Sequence, residues 1–301
     1  MMLKYIYEMK PSFLDIGCAS GVKSCLTQWN DPLDPRLLSI FFEFFGVDGN
    51  KAEIEKLQNQ NNLYKRLIYT GISDVNGERN LFITKMEGCS SILEPDFELI
   101  GKNLTTGNEI DWFKIKREET IRTITIDDLC QKYNIQPSVL KIDIQGAEML
   151  ALQGAKKTLE NCCIVIAETS TLAFYKNQSI KADLDNFLLS KGFNQLYSTW
   201  KPHFPSELDI AYIKDPNTWN KKDATAAVAI LCHYRLNKAL SYLFKHKLNH
   251  TFSAKELFHL RAKVSVSNTI NSLIIFLKMF ISLFWRFLRP FKKVKVILMN
   301  N

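Results

Sequence analysis

Phe13-Leu14-Asp15-Ile16-Gly17-Cys18-Ala19-Ser20-Gly21 is a short apolar run that delivers an aspartate and then two glycines four residues apart. It reads as a buried strand that turns tightly into a helix. Glycines at 17 and 21 let the backbone approach a ligand closely, and a helix start offers unpaired N–H groups. The spacing is not G-x-G-x-x-G, so pyrophosphate binding by a dinucleotide is disfavoured. It suits a ligand carrying a carboxylate and a ribose. The bland alternative is a strand-to-helix turn that binds nothing.

Runs of the same form recur at FFGVD (44–48), VLKIDIQG (139–146) and CIVIAET (163–169). Apolar at successive positions, they predict strands buried on both faces, which means a parallel sheet covered on each side by helices. NKAEIEKLQNQNN (50–62), GAEMLALQGAKKTLENC (146–162) and KADLDNFLLSKGF (181–193) read as those helices, the last stopped by Gly192. FNQLYS (193–198) and LDIAYIKD (208–215) read as two closing strands. The expected fold is α/β, a Rossmann-like doubly wound and mostly parallel sheet of about seven strands. ISDVNGERNLFITK (72–85) predicts a hairpin around Asn76-Gly77, and TIRTITIDDL (120–129) a further strand. The piece between, from GCSSILEP to Glu119, is expected to loop over the site.

The chain divides into 1–215 and a helical C-terminal extension, 216–301. The net charge of +8 hides this division: residues 215–301 carry 15 Lys/Arg against 3 Asp/Glu, a balance of +12, which leaves 1–214 at −4. Any polyanionic partner therefore belongs to the extension. Seven cysteines without a CxxC pair argue against a disulfide framework or a zinc site, and the N-terminal stretch has no apolar signal core. A reducing cytoplasm is the expected compartment.

Asp48 ends the second buried run, where an acidic side chain accepts hydrogen bonds from both hydroxyls of a ribose. As a helix N-cap it would equally serve structure alone. Ser73 and Asp74 follow the third strand, where an adenine edge would sit, unless they form a plain turn. Asp15, Gly17, Cys18, Ala19, Ser20, Gly21, Asp48, Gly49, Ser73 and Asp74 are thus the expected cofactor-binding set. S-adenosylmethionine is the ligand with the right parts.

These blocks also resemble, in order, those of the FkbM-type methyltransferases. The matching pieces are LDIGCASG, GVDGNKAEIEKL, GISDVNGERNLFIT, CSSILEP, TIRTITIDDL, LKIDIQGAEMLALQGA and IVIAET. The most distinctive is the K-x-D-x-x-G-x-E block of Lys141, Asp143, Gly146 and Glu148. Cys18 and Ser20 depart from the family's more usual DIGANxG. The resemblance implies methyl transfer from S-adenosylmethionine to an oxygen, often a sugar hydroxyl of a glycan or glycosylated metabolite. Such a reaction needs in-line alignment and help in removing an alcohol proton. Asp143 and Glu168, at the ends of the fourth and fifth parallel strands, are the expected catalytic carboxylates, with Asp143 the first choice for base or substrate orienter. Lys141 is a weaker candidate, and Glu148 doubles as a helix-start charge. Ser90, Ser91 and His203 are expected on the substrate side, and Trp112, Tyr175 and Trp200 could stack on a sugar ring. No spacing demands a metal.

TINSLIIFLKMFISLFWRFLR (269–289) is too short in its apolar part to span a bilayer and holds Lys278. With Arg286, Arg289, Lys292, Lys293 and Lys295 it has the composition of an in-plane helix on anionic lipid, so 269–296 is expected at the inner membrane face. No nucleic-acid module accompanies the charge. Two other readings stand beside this one. The first is a methyltransferase of a small soluble acceptor whose tail dimerises. The second is a silent S-adenosylmethionine-binding scaffold in a glycan assembly complex.

Overall fold

The computed structural model describes residues 10–19, 39, 41–59, 63–104, 107–200, 206–233, 236–253, 256–261 and 264–265. Ser20, Gly21, His203 and the 269–296 segment lie outside the described residues. In chain order the strands are β1 (Ser12–Ile16), β2 (Glu43–Asp48), β3 (Tyr64–Tyr69), β4 (Gly71–Ile72) and β5 (Gly77–Thr84). They continue with β6 (Ile115–Ile124), β7 (Pro137–Ile142), β8 (Ile164–Ser170), β9 (Phe193–Trp200) and β10 (Glu207–Lys214). The helices are α1 (Lys51–Gln58), α2 (Phe97–Asn103), α3 (Gly107–Trp112), α4 (Ile126–Tyr133) and α5 (Glu148–Gln153). After them come α6 (Lys156–Asn161), α7 (Lys181–Ser190), α8 (Lys221–His233), α9 (Asn237–His246) and α10 (Leu248–Thr251).

Seven strands form one sheet in the order β3-β2-β1-β7-β8-β10-β9. Every pairing among the first five is parallel, and β10 runs antiparallel to both of its neighbours. The expected α/β doubly wound, mostly parallel sheet is the fold. The chain winds outward from β1 to β3 on one side and from β7 to β8 on the other. The winding therefore reverses between β1 and β7, and a crevice opens at such a switch point, outside the carboxyl ends of the strands.

The continuous apolar runs have a simple cause: both sheet faces are covered. Phe13, Val139, Ile164 and Ile166 point into one core; Leu14, Ile16, Leu140, Ile142 and Val165 point into the other. Burying each such side chain contributes roughly 1.5–3 kcal/mol. The first core is closed by α8, whose residues 223–233 are buried all round, and by Leu240 and Leu243 of α9. A helix with no polar face is what a position between a sheet and further helices requires. The α8 segment of the 216–301 extension thus shares one apolar core with β1, β7 and β8.

Four local expectations need correction. The 72–85 segment is not a hairpin: β4 and β5 both pair with β6, which lies between them in a separate three-stranded sheet. Asn76 turns the chain toward β6, because its Oδ1 accepts from Thr125 N at 2.8 Å and its Nδ2 donates to Asp128 at 2.6 Å. The 120–129 strand stops at Ile124, because Thr125 caps α4 by accepting from Asp128 N. The helix expected over 146–162 is two, α5 and α6. Gly154 separates them: its carbonyl accepts from Asp127 N, and a Cβ there would lie 2.5 Å from Ser73 O. The stretch expected as a loop holds a 3-10 turn (Glu87–Cys89), α2, α3 and the first half of β6. Among the described residues, no helix is long and apolar enough to cross a membrane.

Candidate active site

At the switch point the β1 turn sits directly on the backbone that leaves β7. Gly17 has φ +83°, and a Cβ there would fall 1.7 Å from the Asp143 carbonyl oxygen. Asp143 N in turn donates to Ile16 O at 2.9 Å. Gly17 N and Cys18 N both donate to Val47 O, tying the same turn to β2. The Cys18 side chain is buried beside Ile54 and Leu57, so this residue faces the ligand edge with its backbone.

Asp48 lies beyond that turn. Its Oδ2 accepts from Ala19 N at 3.0 Å and its Oδ1 from Asn50 N at 2.7 Å. A carboxylate has about four lone-pair positions, so two remain for an adjacent pair of hydroxyls. Burial pushes the Asp48 carboxyl up to about 6, against the lowering effect of the two N–H donors. An acceptor for two ribose hydroxyls next to a glycine turn with no side chain fits the carboxylate-and-ribose ligand expected from the sequence. Gly49 follows, where a Cβ would meet Ile121 Cδ1 at 3.0 Å. Ser73 and Asp74 are bound to each other at 2.8 Å, and Asp74 pairs with Arg79 at 3.1 Å. They brace the turn that leads from β4 into β5.

Beneath the turn is a buried charge group. Asp15 has no exposed surface, and Tyr64 Oη donates to its Oδ2. Lys141, its register partner on β7, places Nζ 3.7 Å from Asp15 Oδ1 and 3.1 Å from Asp143 Oδ2. Burial raises the Asp15 carboxyl to about 6, and Lys141 and Tyr64 work in the opposite direction. Asp143 is the accessible member of the group, with 26% of its side chain exposed against 5% for Lys141.

Gln145 joins this group to β8. It adopts a left-handed backbone, φ +54°, and its Nε2 donates to Asp143 Oδ1 at 3.1 Å and to Glu168 Oε1 at 2.8 Å. One amide therefore spans the two carboxylates expected to be catalytic. A non-glycine residue held at positive φ costs of order 1 kcal/mol or more and persists where surrounding contacts over-determine it. Glu148 is buried beneath the same loop, and its Oε1 accepts from Ile144 N and Gly146 N at 3.0 and 3.1 Å. Burial lifts its carboxyl to about 7. Glu148 thus braces the loop.

Ser91 is buried, and its hydroxyl donates to Ile144 O at 3.4 Å, joining the 87–95 segment to the same loop. Ser90 Oγ accepts from Thr84 N. Tyr175 is buried, and its hydroxyl donates to Cys89 O at 2.8 Å, so its ring is part of the wall. Trp112 is partly buried beside the same small cluster, and Trp200 is 54% exposed at the end of β9. Sequence reasoning passed over Gln145 and Tyr64. Gln145 lay inside the K-x-D-x-x-G-x-E block. Tyr64 had no local signal, because β3 lies two strands away from the β1 that carries Asp15.

The family model for the methyltransferase FkbM domain matches residues 41–194. The 2-O-methyltransferase NoeI of Sinorhizobium fredii (strain NBRC 101917 / NGR234) is 26% identical over 181 residues, 58% of this chain and 70% of that protein. Among solved structures, the magnesium protoporphyrin IX methyltransferase ChlM of Synechocystis PCC 6803, with bound SAM, is 11% identical. The alignment covers 71% of this chain and 76% of that one, with a TM-score of 0.33. Sp1610 of Streptococcus pneumoniae, described as a putative tRNA (m1A22) methyltransferase, is 10% identical over 90% and 98% of the two chains, also at 0.33.

Proposed function

The chain belongs to the FkbM methyltransferase family and is an S-adenosylmethionine-dependent methyltransferase, and on that premise we propose that it methylates a sugar hydroxyl of a glycan or glycolipid. The relative named as a 2-O-methyltransferase supports oxygen as the methylated atom. The observation that carries the reading is the pair of carboxylates, Asp143 and Glu168, bridged by Gln145 beside the Gly17 turn.

When bound, S-adenosylmethionine supplies an electrophilic methyl carbon on a sulfonium. In our reading Asp48 accepts hydrogen bonds from both ribose hydroxyls, while the backbone at Gly17, Cys18 and Ala19 lies against the cofactor. Asp143 orients the acceptor hydroxyl and takes its proton as the oxygen attacks. Lys141 pairs with Asp143 at 3.1 Å and fixes its carboxylate in place. Glu168 accepts a second hydroxyl and sets the approach of the ring. Glu148 keeps the loop in shape, and Ser91 fastens the 87–95 segment to it. The work of these groups is positioning and proton acceptance, which together supply several orders of magnitude in rate.

The basic and apolar 269–296 segment is our proposed contact with anionic lipid at the inner membrane face, where a lipid-linked saccharide would be presented. Calorimetric titration with S-adenosylmethionine tests the cofactor half. Saturable binding by the wild type, weakened at least about tenfold in Asp48→Ala, is expected. No binding by the folded wild type would defeat the reading.

A further inference from the structure

In the loop that leaves β7, the backbone and side chain of one residue pull against each other. Gln145 holds φ +54°, and Gly146 after it holds φ +93°. Glycine adopts this left-handed region without strain, whereas a residue with a Cβ resists it. The turn cannot slide by one position, because a Cβ on Gly146 would lie 2.8 Å from Tyr175 Cδ2. It is also pinned on both sides of Gln145. Glu148 Oε1 accepts from Ile144 N and Gly146 N, and the Ser91 hydroxyl donates to Ile144 O. A side chain kept on so firmly held and strained a turn points to a functional constraint.

The Gln145 amide has one workable orientation. Nε2 donates one hydrogen to Asp143 Oδ1 at 3.1 Å and the other to Glu168 Oε1 at 2.8 Å. Turned over, it would set its oxygen against two carboxylates. Lys141 Nζ meets the other Asp143 oxygen, Oδ2, at 3.1 Å. Donors on both oxygens fix the plane of the carboxylate as well as its place. Resting on the reading of Asp143 as the base, we infer that Gln145 is a positioning residue for methyl transfer: it aims Asp143 at the acceptor hydroxyl and ties it to Glu168. An amide does this without adding charge. A lysine or arginine in its place would stabilise the carboxylate further and weaken it as a base, and a glutamate would repel both partners.

The test uses the full chain saturated with S-adenosylhomocysteine and carbon-labelled at its aspartate carboxyls, the Asp143 NMR signal being assigned by its loss in Asp143→Asn. Gln145→Met keeps the length and removes both donors. Gln145→Gly removes them too and relieves the backbone, so it carries the test if the first variant fails to fold. Losing a donor to the charged form raises a carboxyl's pKa, so the Asp143 titration midpoint should rise by about one pH unit in both variants. Lys141, Asp15, Glu148 and, across the amide, Glu168 are the described charged groups that bear on Asp143, and all stay in place. S-adenosylhomocysteine affinity should be unchanged. Transfer of labelled methyl into a saccharide fraction should fall at least ~tenfold. An unmoved Asp143 midpoint makes Gln145 merely structural and overturns the inference, as does wild-type transfer by Gln145→Met. Undiminished transfer by Asp143→Asn is a different failure: it defeats the reading of the base, whatever the titration shows.

Discussion

Gly17 and Asp143 occupy one space: the position a Cβ would take on Gly17 is 1.7 Å from the Asp143 carbonyl oxygen. Two motifs far apart in the sequence are thus pressed together at the reversal of the sheet. Gly17→Ala must displace one backbone from the other, and it also places alanine at φ +83°. We expect a loss of more than about 2 kcal/mol in urea unfolding, with S-adenosylmethionine affinity falling more steeply than in a surface control such as Gly77→Ala. A stable Gly17→Ala protein with normal affinity would contradict this geometry.

In the proposed ribose contact, Asp48 sets a pH limit on cofactor binding. Only the carboxylate can accept from both ribose hydroxyls, and its free-protein value stands at about 6. Affinity for S-adenosylhomocysteine should be flat above pH 7 and fall by up to about tenfold per unit below pH 6. Asp48→Asn should be weaker throughout and flat. If the pH dependence survives in Asp48→Asn, the titrating group is another one, with Asp15 the first suspect because it stands at about 6 as well.

Glu148 governs stability in a different window. Burial raises it from 4.5 to about 7, so the folded chain holds this proton more tightly than the unfolded chain does. Between those values the native state binds more protons, and its stability falls as pH rises. Above pH 7 the accumulated cost is on the order of 3 kcal/mol. Glu148→Gln keeps an oxygen for Ile144 N and Gly146 N. It should unfold like the wild type near pH 4.5 and require more urea at pH 8. A variant less stable at pH 8 would contradict the assignment.

Much of this was legible in the sequence for a physical reason. A strand buried on both faces shows as an unbroken apolar run, and β1, β2, β7 and β8 all do. The arrangement of the smaller sheet and the first half of β6 were not legible, because β6 (IKREETIRTI) is largely solvent-exposed and Asn76 steers the chain toward it. Likewise Asp15, Asp48, Asp143 and Glu168 stood out as acids at strand ends. Gln145, a neutral residue in a loop, joins two of them only through its unusual backbone conformation.

Lys141 is the buried cation shared by Asp15 and Asp143. Lys141→Met should cost about 3–5 kcal/mol at pH 8, because it leaves a buried carboxylate without its counter-charge. The loss should shrink at pH 5, where Asp15 takes up a proton. A pH-independent loss would mean that packing, and not charge, is what Lys141 supplies.

The proposed membrane contact is electrostatic in part, each basic residue near an anionic surface contributing about 1 kcal/mol. Lys292→Glu, Lys293→Glu and Lys295→Glu together should release the chain from phosphatidylserine-containing vesicles in co-sedimentation while leaving neutral vesicles unaffected. Equal partitioning of wild type and triple variant would contradict a lipid role for the segment.

The most direct test is transfer of labelled methyl from S-adenosylmethionine into a saccharide fraction, followed by mild alkali. A sugar methyl ether survives that treatment, whereas a carboxyl methyl ester releases methanol. The account predicts alkali-stable label in saccharide, reduced at least ~100-fold in Asp143→Asn, in line with removing a general base. Alkali-labile label, or undiminished transfer by Asp143→Asn, would contradict it.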